Sequence, residues 1–239
     1  MTRECKKDFE RIQGYVGKYS IEQNLDNSDY IASLKRMHKC YFSLITWNAE
    51  LLHRKEGFAS LEPSSSEDII LRLAEVVSDS GTSLFNWMNG NYKASRVMLR
   101  VSIENFVRAI SAFEDKSQLL EKNVHQLFER ASKQEVFRKE GNIRKCYESL
   151  HSDYKTLCED AHTASVHNME HLTSLSDLPA YEKEKSGSSA EIYVRICRNI
   201  TAIFCIRFNS FYHQMHHRNR ENILNSLSSE IKSIVTAPP

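Results

Sequence analysis

Only 7 glycines and 4 prolines punctuate these 239 residues. Sheet architectures need a tight turn every few residues, and such turns draw on Gly and Pro for their backbone angles. A chain this poor in both is expected to be helices joined by a few loops. Neither GxGxxG nor GxxxxGK[ST] occurs, which excludes the glycine-rich phosphate loops of α/β nucleotide-binding folds. The length suits one large domain or two small ones. With 41% apolar and 26% charged residues, the composition is that of a globular chain and excludes wholesale disorder. Lys and Arg (32) nearly balance Asp and Glu (31). A net charge of +1 argues against a surface that wraps nucleic acid along its length, while leaving room for a local basic patch.

The cysteines, Cys5, Cys40, Cys146, Cys158, Cys197 and Cys205, include no CxxC pair, so zinc-finger and thioredoxin readings fall. They read as small hydrophobes. The opening residues, MTRECKKDFERIQ, lack the apolar run of a signal peptide. The most apolar stretch, 192–211, carries Arg195, Arg198 and Arg207, which a membrane span would not tolerate. These features predict a cytoplasmic protein with reduced thiols and no membrane partner.

Apolar periodicity divides the chain. Residues 1–27 read as an N-terminal extension with a short helix. A long helix is expected over 28–54, capped by Ser28 and stopped by Gly57, followed by a loop over 58–66. Ser66 opens a second helix, with Gly81 as a possible kink, and Gly90-Asn91 separates it from a third over 92–113. Further helices are expected over 118–139, 142–172, 191–217 and 221–235. The Ser-rich, charged segment 173–190 reads as a mobile loop. The whole, 1–239, is expected to be one all-α bundle of six to eight helices. Its core should include Leu99, Ile103, Phe106, Ile110, Leu157, Ala161, Ile203 and Phe204. The stretch after residue 191 is apolar on several faces (Ile192, Val194, Ile196, Ile200, Ile203, Phe204, Ile206, Phe208), which predicts self-association as a way of sharing that surface.

The third helix is the most distinctive. At 100° per residue, Leu99, Ile103, Phe106 and Ile110 form one stripe. Arg96, Arg100, Glu104 and Arg108 form a second line at i, i+4 spacing, interleaved with Val97 and Val107. Arg100 and Glu104 are therefore expected to be partly buried and held by the helix bearing Tyr154 and His162. Gly90-x-Tyr92-x-Ala94, then Leu99-Arg100 and Glu104, with Tyr154, Leu157 and His162 on a later helix, resembles the HEPN superfamily over roughly residues 68–170. The resemblance implies a compact, often dimeric bundle of bacterial toxin–antitoxin and phage-defence systems. Active members are metal-independent ribonucleases that use an Arg-x(4–6)-His motif across a dimer interface.

That chemistry needs a guanidinium for the phosphate and an imidazole to move a proton. Arg144 with His151 and Arg207 with His213 have the spacing, and Arg207/His213 is the better placed pair. With 16 Arg and 10 His in the chain, composition alone gives roughly two such matches. Lys145 and Phe208 follow the arginines where active families favour Asn, Asp or His. Glu50-x-x-His53 and Glu159-x-x-His162 have the spacing of di-iron bundle ligands. His167/His171 and His213/His217 have that of a surface metal pair. No third ligand accompanies either, so no metal and no cofactor is expected. The leading expectation is an accessory or interaction subunit of a defence or toxin–antitoxin system without chemistry of its own. It would act as a homodimer or with a partner protein of a defence operon, with RNA a further candidate partner. The alternative is a HEPN-type ribonuclease using Arg207 and His213. A di-iron bundle stands behind both.

Overall fold

A computed structural model describes residues 1–16, 22–161 and 181–237. Among them are twelve α-helices and no strand: α1 (Arg3–Val16), α2 (Ser28–His53), α3 (Lys55–Leu61), α4 (Glu67–Met88), α5 (Tyr92–Ser111), α6 (Val124–Ala131), α7 (Glu135–Arg138), α8 (Asn142–Ala161), α9 (Lys183–Arg207), α10 (Asn209–Gln214), α11 (His217–Leu224) and α12 (Ser229–Thr236). Short 3₁₀ turns occupy Glu22–Asp26 and Lys116–Leu120. The protein is all-α, with more and shorter helices than the six to eight expected. No helix of the described residues is long and apolar enough to cross a membrane.

The long helices α2, α4, α5 and α8 surround α9, and the short ones cover the margins. Ile192, Val194, Ile196, Ile200, Ile203, Phe204 and Phe208 are all buried, and Ile206 is half-buried. The chain itself thus encloses the apolar faces of α9, so their breadth calls for no second copy. Trp47 of α2 stacks on Phe204, with ring centres 5.4 Å apart. Phe58 of α3 meets Phe208 and Phe211 edge-on at 5.1 Å. Leu99, Ile103, Phe106, Ile110, Leu157, Ile203 and Phe204 are buried as expected; the Ala161 side chain lies outside the described set.

The contact between α4 and α5 is lined with small hydroxyls. Ser80 and Ser102 share a hydrogen bond of 2.9 Å, and Ser83 donates to the Ser95 carbonyl at 2.8 Å. Small side chains let the backbones approach, and these serine hydroxyls are paired with one another or with backbone carbonyls. Gly81 serves closeness rather than a kink, since α4 is continuous across it. A Cβ there would fall on the Tyr41 hydroxyl and 2.8 Å from its Cζ.

Several element boundaries differ from the sequence expectation, each for a local reason. Asn27, not Ser28, caps α2, its side chain taking the N–H of Asp29 at 2.9 Å and of Tyr30 at 3.1 Å. The chain breaks at Arg54, and Gly57 lies inside α3. The helix expected over 118–139 is divided because polar side chains capture its backbone N–H groups. Asp115 takes that of Ser117, Asn123 that of Gln126, and Glu114 those of Glu135 and Val136. The helix expected over 221–235 likewise divides into α11 and α12, where Ser228 caps the latter. Residues 1–16 belong to the core, since α1 buries Cys5 and Phe9.

The largest correction concerns the loop expected over 173–190. Residues 183–190 are the first two turns of α9, with Ser186, Ser189 and Ala190 buried. Trp87 of α4 donates its indole N–H to the Ser186 carbonyl at 3.0 Å. Small residues that read as loop composition form a close-packing face. Of the remainder, Tyr181 and Glu182 precede the helix and 173–180 lie outside the described residues. At its other end α9 stops at Arg207, where Phe208 (φ −111°, ψ 42°) turns the chain into α10.

Gly187 sits in α9 with open space where a Cβ would stand. Gly187→Ala is expected to raise stability by about 0.5–1 kcal/mol through helix propensity. Gly81→Ala gains the same propensity but overpacks against Tyr41, so its melting temperature should fall by about 2–4 °C. Thermal unfolding followed by circular dichroism reads both; a destabilising Gly187→Ala would contradict the early start of α9.

Candidate functional site

α5 begins after a turn in which Gly90 takes φ 71°, a left-handed angle that glycine adopts without strain. Asn91 then accepts the Ala94 N–H at 3.3 Å and sets the helix phase. That phase sends Leu99, Ile103, Phe106 and Ile110 inward. Glu104 meets α8: Tyr154 donates its hydroxyl to Glu104 Oε1 at 3.1 Å. Arg100 Nε donates to the same oxygen at 3.0 Å, and its guanidinium stands 5.8 Å from the Tyr154 ring centre. The side chains of Arg100 and Glu104 are 25% and 15% exposed. Burial, then the Cys158 hydrogen bond and the Glu104 charge, raise the Tyr154 phenol above its ordinary value, so it stays a donor. Burial works against the Arg100 charge, but Glu104 outweighs it and the guanidinium titrates above its usual range. Arg100, Glu104 and Tyr154 thus form one satisfied cluster; His162 lies outside the described residues.

Next to Glu104 on α5, Asn105 opens a second cluster, with Asp79 and Arg72, that the sequence does not single out. Asn105 donates to Asp79 Oδ2 of α4 at 2.7 Å and accepts from Arg72 at 3.1 Å. Asp79 is buried, which raises its carboxyl despite the Asn105 hydrogen bond. The signal was present: an aspartate in step with Val76, Ser80 and Ser83 on an inward face. Arg108 donates to the carbonyls of Gln118 (3.2 Å) and Glu121, pinning the 3₁₀ turn after α5.

The ribonuclease spacings come apart. Arg207 forks onto Glu62 through both terminal nitrogens, at 2.8 and 2.9 Å. Its guanidinium also lies over Phe113 and Phe208, at 5.6 and 5.0 Å. His213, beyond the break at Phe208, donates to the carbonyls of Val235 (3.1 Å) and Ala237 (2.9 Å). Arg144 pairs with exposed Glu148 at 2.9 Å. His151 stacks on Phe128, with centres 4.8 Å apart, and burial lowers its pKa, helped by Lys155 and His125.

The ExxH spacings do not converge either. Glu50 is buried against Asn219, whereas His53 is exposed. Glu159 is exposed and His162 undescribed, as are His167 and His171. The ring of His217 lies against His216, 4.3 Å away. Among the described residues no three His, Cys, Asp or Glu side chains group as a metal would require.

A constellation that spacing could not reveal joins α1 to α2. His38 Nε2 lies 2.8 Å from Asp8 Oδ2, and His38 Nδ1 lies 3.9 Å from Cys5 Sγ. Thiol, imidazole and carboxylate follow the order of a cysteine hydrolase. Their environment opposes that chemistry, because Cys5 and His38 are fully buried. Burial raises the Cys5 thiol and lowers His38, the Asp8 hydrogen bond pulling the imidazole the other way. A neutral thiol with no access for substrate is a poor nucleophile, so the trio acts as a clasp for α1.

Glu104→Gln keeps an acceptor for Tyr154 but removes the charge facing Arg100. It should cost about 1–2 kcal/mol, between exposed and buried pairs. Glu148→Gln, in an exposed pair, should stay within about 0.5 kcal/mol of the parent. Chemical denaturation separates the two. His38 titrates below its ordinary value of 6.5 in the folded protein, so the unfolded chain takes up a proton first. Its contribution is intact above that value and lost as pH falls through it toward the folded pKa. His151 acts in the same direction and Asp79 in the opposite one, so the variant isolates the histidine. The melting temperature should drop between about pH 7 and about pH 5, less steeply in His38→Gln.

Comparison with protein-family models, curated proteins and solved structures gave no match.

Proposed function

We propose that this chain is a helical interaction subunit without chemistry of its own, acting in the cytoplasm within a bacterial phage-defence or toxin–antitoxin assembly. The observation that carries the reading is how its Arg and His side chains are used. Both terminal nitrogens of Arg207 are committed to Glu62, and His213 Nε2 to backbone carbonyls. A ribonuclease of the kind the sequence resembles needs the arginine for phosphate and the imidazole for a proton. The Arg100–Glu104–Tyr154 cluster is likewise satisfied from within.

Exposed apolar side chains support an interaction role. Leu120 and Leu71, 83% and 55% exposed, lie in one cleft of about 660 Å³ edged by Asp68, Arg72, Glu75 and Lys116. Apolar anchors ringed by charge are how protein interfaces are commonly built. The cysteines are free thiols, mostly buried, which suits a reducing compartment. The defence setting itself is carried by the likeness of the α5 and α8 segments to the HEPN pattern, an argument from analogy.

The test has two arms. Full-length protein incubated with labelled single-stranded RNA and a chelator should leave the RNA intact. Co-expression with the products of the flanking genes should give a complex that elutes as one species. RNA cleavage that disappears in His213→Ala and in Arg207→Lys would replace this reading with the ribonuclease.

A further inference from the structure

Three arginines on two helices open onto one cleft of about 460 Å³: Arg36 of α2, with Arg195 and Arg198 of α9. Arg195 is anchored, since its Nε donates to both oxygens of Asp153 at 3.0 Å. Arg36 and Arg198 are exposed and form no ion pair with a described residue. Both line this cleft beside the buried Cys40, whose thiol Arg198 also hydrogen-bonds. Like charges gathered in one cleft repel, and a bound anion relieves that repulsion.

The cleft carries further features that a ligand would use. Ser228, the N-cap of α12, lines it. Its hydroxyl takes the Ile231 N–H at 3.4 Å, so the N–H groups of Ser229 and Glu230 lack an intrahelical acceptor. The positive end of α12 adds to the arginine field. One wall is apolar, formed by Val194, Ala202 and Leu227. Glu191 also lines the cleft, and exposed Glu230 stands 4.0 Å from Lys145. These carboxylates would reject a fully anionic ligand and accept hydroxyl donors.

We propose that this cleft binds a small phosphate monoester with a hydroxyl-bearing body, of the size of a nucleoside monophosphate. Arg36 and Arg198 hold the phosphate, which the α12 N-terminus faces. Glu191 accepts from the ligand's hydroxyls, and the apolar wall takes its uncharged part. The volume lies within the range of small-molecule sites and is too small for a strand of nucleic acid. This inference does not rest on the interaction-subunit reading, and either can fail without the other.

Calorimetric titration and thermal shift of the full-length protein with AMP, inorganic phosphate, adenosine and a short single-stranded RNA test it. AMP should bind at millimolar concentration or below and raise the melting temperature, phosphate should bind more weakly, and adenosine should not bind. The double variant Arg36→Gln/Arg198→Gln should weaken AMP by roughly tenfold or more, the scale of a lost charge-assisted contact. Its melting temperature without ligand should stay within about 2 °C of the parent, because neither side chain holds an ion pair with a described residue. Lys133→Gln, in an exposed pair on the surface after α6, should leave AMP binding unchanged. No binding of AMP, equal binding by the double variant, or phosphate binding as tightly as AMP would overturn the proposal. So would RNA binding that strengthens with length, which would make the cleft part of a strand-binding face.

Discussion

α9 has apolar side chains on most of its circumference, and a helix of that kind must be enclosed everywhere but along its polar stripe of Glu184, Ser188, Glu191, Arg195 and Arg198. The arrangement of α2, α4, α5 and α8 follows from this requirement. Enclosure also limits what polar groups α9 can carry. Tyr193, fully buried, donates its hydroxyl to the Ser80 carbonyl at 3.1 Å, and Thr201 returns its own to the Cys197 carbonyl at 2.8 Å. Each buried polar atom so paired avoids a desolvation loss of about 1–3 kcal/mol. Burial also drives the Cys197 and Cys205 thiols far above their ordinary range, so they behave as small hydrophobes rather than nucleophiles.

Several of the charges around this core are matched across helices. Arg195 meets Asp153 between α9 and α8, and Arg207 meets Glu62 where α9 ends. On the other side Asn105 links Asp79 and Arg72 across α4 and α5. These contacts set how neighbouring helices align, because a guanidinium fork or an amide bridge has directions that apolar packing lacks. The same satisfaction separates them from catalytic groups, which must keep a proton or a lone pair available for substrate.

How much of this was legible follows from the range of each signal. The α5 stripe was legible because four apolar positions repeat within one helix, and the Ser66 cap because capping is local. The Arg100, Glu104 and Tyr154 cluster was legible because interleaved valines marked its line as facing inward. The beginning of α9 was not, since Ser186, Ser189 and Ala190 suit a loop and a close helix contact equally well. The Cys5–His38–Asp8 clasp joins positions about thirty residues apart with no repeat to mark it. The Arg207/His213 spacing was visible, yet spacing carries no information about the bend at Phe208 that sends the two side chains to different partners.

The three arginines of α9 show how structure sorts residues that composition treats alike. In the sequence all three argue against a membrane span, and Arg207 is also half of the ribonuclease-like Arg207/His213 spacing. Arg207 and Arg195 each face a carboxylate within the chain, so their charge is consumed in holding α9 to α3–α4 and to α8. Arg198 forms no ion pair with a described residue, and it lines one cleft with Arg36 and with Ser228, the N-cap of α12. Folding alone does not favour that juxtaposition, because bringing two exposed cations together lowers stability slightly and a nearby glutamate would reverse the effect. What sets Arg36 and Arg198 apart is their place, since they line one cleft beside the N-terminus of α12, where an outside anion can meet both cations and the helix dipole together.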